Sequence, residues 1–279
     1  MTTNISIFKK ELKKWYANNR RSFSWRNTNN PWKILLIETL SQQTQLERAN
    51  RYYEQFIDKY PTPKHMANDS KKQILKLWSG LGYNNRATRL HETAKIVAKT
   101  GFDNLYPDFT VLPGVGPYTN SALLSFAYGE KVIAVDTNIK RILQRFFKIK
   151  DKDIKNFLQA NQDTFLHRFE SRDFNQALMD LGATVCRSKN PKCVICPLEK
   201  SCNKFITKNS QIQPKFEGSF RQKRGVVLKI LLSKDNVTKN VIQKELDATS
   251  EITLRVLDSL EKDNLIKITK NKYIVINDK

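Results

Sequence analysis

Four cysteines concentrated in one short segment constrain the fold of this chain more than any other feature. They are Cys186, Cys193, Cys196 and Cys202, with the spacing C-x6-C-x2-C-x5-C. Thiolates this close repel one another unless a cation neutralises them, so the spacing predicts a metal site. Chemistry alone fits zinc and a [4Fe–4S] cluster equally well, and disulfides are not expected without a secretory context.

Net charge is the second strong signal. The chain has 49 Lys and Arg against 27 Asp and Glu, a formal net charge of +22. An excess of this size raises the affinity for polyanions through counterion release, which favours nucleic acid over small acidic ligands. The alternative is a lysine-rich composition that spreads charge everywhere without a specific partner.

The N-terminal segment lacks the apolar block and the cleavage site of a signal peptide. Phe8, Leu12, Trp15 and Tyr16 recur at helical spacing, which predicts an amphipathic helix docked on the core. No apolar run is long enough to span a bilayer. We therefore expect a protein of the cytoplasm or nucleoid, without a membrane partner.

Helical periodicity dominates the region from residue 31 to about residue 205. Apolar residues recur there at intervals of three and four, with breaks at Pro61–Pro63, Gly80–Gly82, Pro107 and Pro113–Gly116. Strand-like alternation is scarce, so we predict an all-α domain.

The pattern changes after this region. Residues 206–218 are polar and basic and predict a linker. Residues 219–279 predict three helices, the second capped by Thr238 and the third by Ser250, followed by a hairpin over LIKI and KYIVI. This is the outline of a winged helix-turn-helix.

The stretch VLPGVGPYT is a glycine-punctuated turn between a helix predicted at 103–111 and the helix-forming segment SALLSFAYG. Such a unit exposes backbone N–H groups at the start of its second helix, where the dipole favours a phosphate. It can grip one DNA strand without reading its sequence. One GVG turn is weak evidence alone, but Asp136 and the cysteines follow it along the chain.

Glu38 lies on an apolar helix face, because Ile34 and Leu35 precede it by one turn. A carboxyl group there is either paired or has a raised pKa, and a raised pKa suits a general acid. Asp136 directly precedes the helical pattern TNIKRILQRFF, so it caps that helix, serves as a second reacting carboxylate, or does both.

Over roughly residues 8–205 the chain resembles the endonuclease III superfamily of DNA glycosylases. The resemblance rests on motifs that occur in that family's order: LPGVG, VDTN, MDLGATVC and the cysteine spacing. The resemblance implies an all-α, two-lobed helix-hairpin-helix fold for residues 1–205. The six-helix lobe (31–136) and the cluster lobe (1–30 and 137–205) would flank a DNA cleft. It also implies that the four cysteines hold a [4Fe–4S] cluster rather than zinc.

The segment ETLSQQTQ, together with GLGY and GPYT, is similar to the MutY-type adenine glycosylases. This resemblance implies that Glu38 protonates adenine at N7, that Asp136 stabilises positive charge on the sugar, and that Asn138 positions water or that carboxylate. Tyr118 stands where bifunctional members carry a lysine, and tyrosine cannot form an imine. We therefore expect a monofunctional enzyme in which Tyr118 lines the base pocket, unless this side chain only packs.

The same resemblance implies a set of DNA contacts around the extruded base. They lie beside the opened base pair, in the glycine turn, in the GLGY loop and in the cysteine loop: Gln42, Gln43, Leu112, Gly114, Val115, Gly116, Tyr83, Asn84, Arg187 and Lys189. Two features depart from the adenine enzymes. Asn84 stands where they have a second tyrosine, and PWKILLIE and SRDFN are closer to archaeal-type thymine–guanine mismatch glycosylases.

The C-terminal region departs further, since residues 219–279 are too few for the Nudix-like domain with which adenine glycosylases commonly recognise 8-oxoguanine. A winged helix here would bind DNA or contact a protein. Thr253 and Arg255 on its third helix either face a DNA groove or belong to a solvated face.

The sequence thus predicts a monofunctional glycosylase that removes adenine paired with G or 8-oxoguanine from double-stranded DNA and acts as a monomer. One alternative is a thymine or uracil glycosylase for T·G mismatches. The other is a non-catalytic iron–sulfur protein that binds DNA or regulates a partner.

Overall fold

A computed structural model describes residues 2–205, 215–234 and 236–276. These residues form mainly α-helices and, near the C-terminus, three short strands. In chain order the helices are α1 (Thr2–Asn19), α2 (Pro31–Ser41), α3 (Leu46–Lys59), α4 (Pro63–Ala67), α5 (Lys71–Leu77), α6 (Asn85–Thr100), α7 (Pro117–Phe126), α8 (Thr137–Phe147), α9 (Ile154–Leu166), α10 (Ser171–Thr184), α11 (Phe220–Ser233), α12 (Lys239–Leu246) and α13 (Ser250–Lys262). The strands are β1 (Val237–Thr238), β2 (Ile266–Thr269) and β3 (Lys272–Val275). None of the described helices is long and apolar enough to cross a membrane.

The all-α prediction for the region from residue 31 to residue 205 is confirmed, since its described residues contain helices and no strand. The predicted breaks also hold, because α3 ends before Pro61 and α5 ends before Gly80. The helix predicted at 103–111 is wrong. Only Asp103–Leu105 forms a 3-10 turn, and Pro107, which lacks an N–H donor, lies where the helix would have had to continue.

The chain divides into two compact units, described here one at a time. The first consists of Met1–Glu38, Pro107–Thr110 and Val115–Gln211, and the second of Thr39–Tyr106, Val111–Gly114 and Ile212–Lys279.

The core of the first unit is rich in aromatic rings contributed by helices that are distant in sequence. Phe8 of α1 is fully buried and meets Phe146 of α8 and Phe165 of α9 edge to face, with ring centroids 4.9 and 5.8 Å apart. Phe174 of α10 joins them. Such pairs add about 1 kcal/mol each to the burial of their area. The amphipathic N-terminal helix is therefore confirmed as part of this core.

The second unit contains α3 to α6 and, from the C-terminal region, α11 to α13 with an antiparallel sheet of order β1-β3-β2. The cap predicted at Ser250 is wrong by one residue, because the side chain of Thr249 accepts the N–H of Ile252. Thr253 is fully buried, so it cannot face a groove. The predicted linker lies outside the described residues except for residues 215–218.

A buried carboxylate ties the segment after α1 to α10 in the first unit. Asp180 is fully buried, and each of its oxygens accepts a 2.6 Å hydrogen bond from the guanidinium of Arg26. Arg21 donates a third bond of 2.6 Å from Nε. Two cations thus compensate one carboxylate that has no access to water.

We predict that Asp180→Asn lowers the free energy of unfolding by about 3 kcal/mol or more, because it leaves the buried Arg26 cation without its counter-charge. The thermal midpoint would report the loss. Asp173→Asn on the same helix is the control, because Asp173 is only half-buried. Equal midpoints for the two variants would contradict the prediction.

Candidate active site

Glu38 is a buried carboxyl group near the end of α2. Its residue is 7% exposed, and its Oε2 accepts a 2.6 Å hydrogen bond from the hydroxyl of Tyr118. Burial raises the pKa of Glu38 to about 7, the hydrogen bond from Tyr118 opposes the rise, and the negative charge of Asp136 adds to it. Glu38 therefore has the raised pKa that the sequence predicted, and its carboxyl group can hold a proton at neutral pH.

Tyr118 belongs to the first turn of α7, which brings its hydroxyl to Glu38. Burial raises its pKa well above the usual value, and the charges of Glu38 and Asp136 raise it further. The phenol therefore remains protonated and acts as a donor. Its hydroxyl therefore holds Oε2 of Glu38 in place.

Asp136 is the N-cap of α8, as the sequence predicted. Its Oδ1 accepts the N–H of Ile139 at 2.7 Å, and its Oδ2 accepts the side-chain amide of Asn138 at 2.7 Å. Burial raises the pKa of Asp136, while these bonds and the charge of Arg141 oppose the rise. Glu38, Tyr118, Asp136 and Asn138 thus come together within one compact unit.

Arg141, which sequence reasoning missed, holds the side chain of Asn138 in place. Its guanidinium donates to Asn138 Oδ1 at 2.8 Å, to the carbonyl of Gly182 at 2.9 Å and to the carbonyl of Cys186 at 2.8 Å. A Cβ at Gly182 would lie 2.4 Å from that of Asn138, so only glycine fits there. The position of Arg141 one helical turn after Asn138 was the available signal.

The four cysteines are half-buried at the end of this network. Arg145 donates to Cys186 Sγ at 3.4 Å, and the amide of Lys204 donates to Cys202 Sγ at 3.4 Å. Burial raises the pKa of Cys196 to about 11, and the charges of Cys186, Cys202 and Cys193 raise it further. The four thiols therefore lie near one another. Among the described residues, no group of three or more Cys, His, Asp or Glu is arranged so that it could hold a metal ion.

In the glycine turn before α7, a ligand would contact the main chain rather than the side chains. Leu112 and Val115 are buried at 2% and 7% exposure, so their side chains anchor the turn. Gly114 has φ +84°, a conformation that favours glycine, and Gly116 is the extended N-cap of α7. The N–H groups at the start of α7 lack a capping side chain and are available to a ligand.

The remaining predicted DNA contacts fall into two groups. Arg187 and Lys189 are exposed in the cysteine loop of the first unit. Gln42, Gln43, Tyr83 and Asn84 belong to the second unit, where Gln43 and Tyr83 both adopt left-handed backbone conformations with φ of 53° and 48°.

Arg86, a second residue that sequence reasoning missed, binds both loops of the second unit. It donates to the carbonyls of Gln42 at 2.6 Å and Thr39 at 3.0 Å, at the end of α2. It also donates to the carbonyl of Gly82 at 3.2 Å in the GLGY loop, and its guanidinium lies over the ring of Trp78 at 4.9 Å. Burial lowers its pKa to about 10. One arginine in a lysine- and arginine-rich chain gave no signal for this role.

The family comparisons agree with the motifs. The profile of HhH-GPD, the HhH-GPD superfamily base excision DNA repair protein family, matches residues 37–165. An adenine DNA glycosylase of Buchnera aphidicola is 36% identical over 206 residues, covering 72% of this chain and 59% of the relative. An adenine DNA glycosylase of Mycolicibacterium smegmatis is 34% identical over 286 residues, covering 95% of this chain and 94% of the relative. The chain thus spans less than two thirds of the first relative and nearly all of the second.

Solved structures share the fold of the helical region. A thermostable thymine-DNA glycosylase is 30% identical with a TM-score of 0.64, and the match covers 72% of this chain and 96% of that one. A non-covalent endonuclease III–DNA complex is 22% identical with a TM-score of 0.63, and it covers 73% of this chain and 96% of that one. The second likeness concerns the fold alone.

We predict that Arg86→Met destabilises the protein by about 2 kcal/mol or more, because several partly buried main-chain carbonyls lose a charged donor at once. Urea unfolding measures the loss. Arg89→Met is the matched control, since Arg89 is exposed on the same helix. A loss of the same size in both variants would show that the carbonyl contacts of Arg86 do not stabilise the loops.

Proposed function

This chain belongs to the HhH-GPD superfamily of base excision DNA repair proteins and to its MutY-type adenine glycosylases, and on that premise we propose the reaction that it performs. It hydrolyses the N-glycosidic bond of adenine paired with G or 8-oxoguanine and leaves an abasic site. The observation that carries the proposal is the buried carboxyl of Glu38, whose pKa is about 7 and whose Oε2 accepts a bond from Tyr118.

In this reaction Glu38 is the general acid. Its carboxyl proton passes to N7 of adenine, and the bond between C1′ and N9 then breaks with its electron pair moving to the base. Asp136 faces the positive charge that develops on the sugar. A water molecule supplies the oxygen that bonds to C1′, and its released proton restores the acid.

Asn138 and Tyr118 position these two acids. The amide of Asn138 donates to Asp136, and Arg141 holds that amide by its oxygen. Tyr118 holds Glu38 and offers no amine, so no imine with the sugar forms and the strand is not cut by that route. This supports a monofunctional enzyme.

DNA binding is proposed for the residues that the family motifs match. The start of α7, with Gly114 and Gly116, offers main-chain N–H groups to a phosphate. Tyr83 and Asn84, with Gln42 and Gln43, would lie beside the opened base pair. The side chains of Leu112 and Val115 are buried and support the turn from within, while the exposed Arg187 and Lys189 suit phosphate contacts.

The cysteines suit a [4Fe–4S] cluster held by Cys186, Cys193, Cys196 and Cys202. Thiolates are the ligands of such clusters, and the charges of Cys186, Cys202 and Cys193 act on Cys196. When bound, the cluster neutralises the thiolates and crosslinks the loop after α10. The exposed side chains of Arg187 and Lys189 then project from a fixed loop.

The domain arrangement proposed from the sequence accompanies this function. Residues 1–205 form the glycosylase, built from a six-helix lobe and a cluster lobe, and residues 219–279 form a winged-helix-like domain in place of a Nudix-like one. The order α11, β1, α12, α13, β2 and β3, with three helices closed by a hairpin, supports this assignment.

A thymine glycosylase for T·G mismatches is the second candidate. The observation that favours it is the 30% identity to a thymine-DNA glycosylase over 72% of this chain. Gln42 and Gln43 count against it, because the thymine enzymes carry arginines at these positions.

A panel of duplexes separates the two candidates. We expect adenine release from A·G and A·8-oxoguanine duplexes and none from T·G, measured as alkali-labile sites under single-turnover conditions at a stated salt concentration. Release of thymine alone would end the proposal in favour of the second candidate.

We predict that Glu38→Gln lowers the single-turnover release rate by at least about 100-fold, because a positioned general acid contributes that much. In the native enzyme the rate falls as pH rises through about 7, since only the protonated Glu38 can donate. Glu92→Gln on the exposed surface of α6 is the matched control and leaves rate and pH profile unchanged. A Glu38→Gln variant with native rate would remove Glu38 from the role of acid.

A further inference from the structure

The hairpin of β2 and β3 carries an uncompensated basic face. The register pairs Lys267 with Ile274 and Thr269 with Lys272, so these four side chains share one face of the sheet. Lys267, Thr269 and Lys272 are exposed, whereas Ile266 and Val275 on the opposite face are buried. The lysines therefore point away from the core.

No carboxylate lies within this hairpin. The segment IKITKNKYIV has three lysines and no acidic residue, and the neighbouring strand β1, which pairs Thr238 with Lys272, adds no acidic residue either. Other cations of the same C-terminal region are neutralised, as Arg224 is by Asp263 and Lys234 by Glu245. Within the described residues, none of the ion pairs involves a lysine of the hairpin.

The turn of the hairpin places a third lysine at its tip. Lys270 and Asn271 have φ of 48° and 60°, the left-handed pair of a type I′ turn. Asparagine and glycine adopt this conformation readily, and lysine does so less readily. A lysine is present at the outermost point of the hairpin even though the local backbone favours other residues.

The exposed face of α13 has the opposite character. It carries the acidic residues Glu251, Asp258 and Glu261 against Arg255 and Lys262, and Thr253 is buried. A helix that enters the major groove lies close to phosphates on both sides. A net negative face there would be repelled, so α13 is poorly suited to that position.

We propose that the C-terminal region binds duplex DNA through the backbone phosphates, using Lys267, Lys270 and Lys272 of the hairpin, while α13 stays out of the groove. The inference rests on the proposed function, which supplies DNA as the partner. It assigns to this region a contact without sequence readout, because lysine ammonium groups meeting phosphates carry no base information.

The test compares two triple variants of the 279-residue protein. Lys267→Gln, Lys270→Gln and Lys272→Gln together remove the hairpin charges, and a matched triple removes three exposed helix charges at Lys244, Arg255 and Lys262. The Kd of each protein for a fully paired duplex is measured by fluorescence anisotropy between about 50 and about 200 mM salt, and adenine release from an A·G duplex is measured in parallel.

We expect the hairpin triple to flatten the slope of log K against log salt by about 2 to 3, and the helix triple by less than about 1. Equal slopes for both triples, or a larger change in the helix triple, would overturn the inference. Adenine release at saturating protein keeps the two proposals distinct. If all three proteins release adenine and the slopes do not differ, only the hairpin contact fails, whereas absence of release in the native protein rejects the proposed function.

Discussion

The bond between Asp136 and the first turn of α8 is the interaction on which the candidate site depends. The carboxylate caps the helix through Ile139 and is also the charge that the proposed reaction uses. Because the cap and the proposed chemistry share one group, the helix cannot shift without moving the candidate site. Burial raises its pKa, while its hydrogen-bond donors and the charge of Arg141 oppose the rise.

The same helix extends from the site to the cysteines. Asn138 lies beside the carboxylate, Arg141 reaches the carbonyl of Cys186, and Arg145 reaches the sulfur of that cysteine. Gly182 of α10 packs so closely against Asn138 that a Cβ at this position would clash with it. Position along one helix therefore sets the distance between the carboxylate of Asp136 and the cysteine loop.

Sequence alone predicted the elements that follow from local rules. The apolar neighbours of Glu38 predicted its burial, and the polar residue before a helical run predicted the cap by Asp136. The family resemblance is confirmed by relatives that match most of the chain. The helix at 103–111 was wrong because periodicity was given more weight than Pro107. Arg86 was missed because its partners are mainly main-chain carbonyls, which leave no mark in the side-chain pattern, whereas Arg141 was missed although its spacing from Asn138 was a usable signal.

Arg86 also has a consequence for how such enzymes diverge. Apart from the hydroxyl of Thr44, the acceptors that it binds are main-chain oxygens, at Thr39, Leu40, Gln42, Leu81 and Gly82. Their positions do not depend on which side chains the two loops carry. Asn84, which has an ordinary helical backbone conformation, can therefore be exchanged without loss of the contacts that Arg86 makes, whereas Gln43, with φ of 53°, requires a replacement that tolerates the left-handed region.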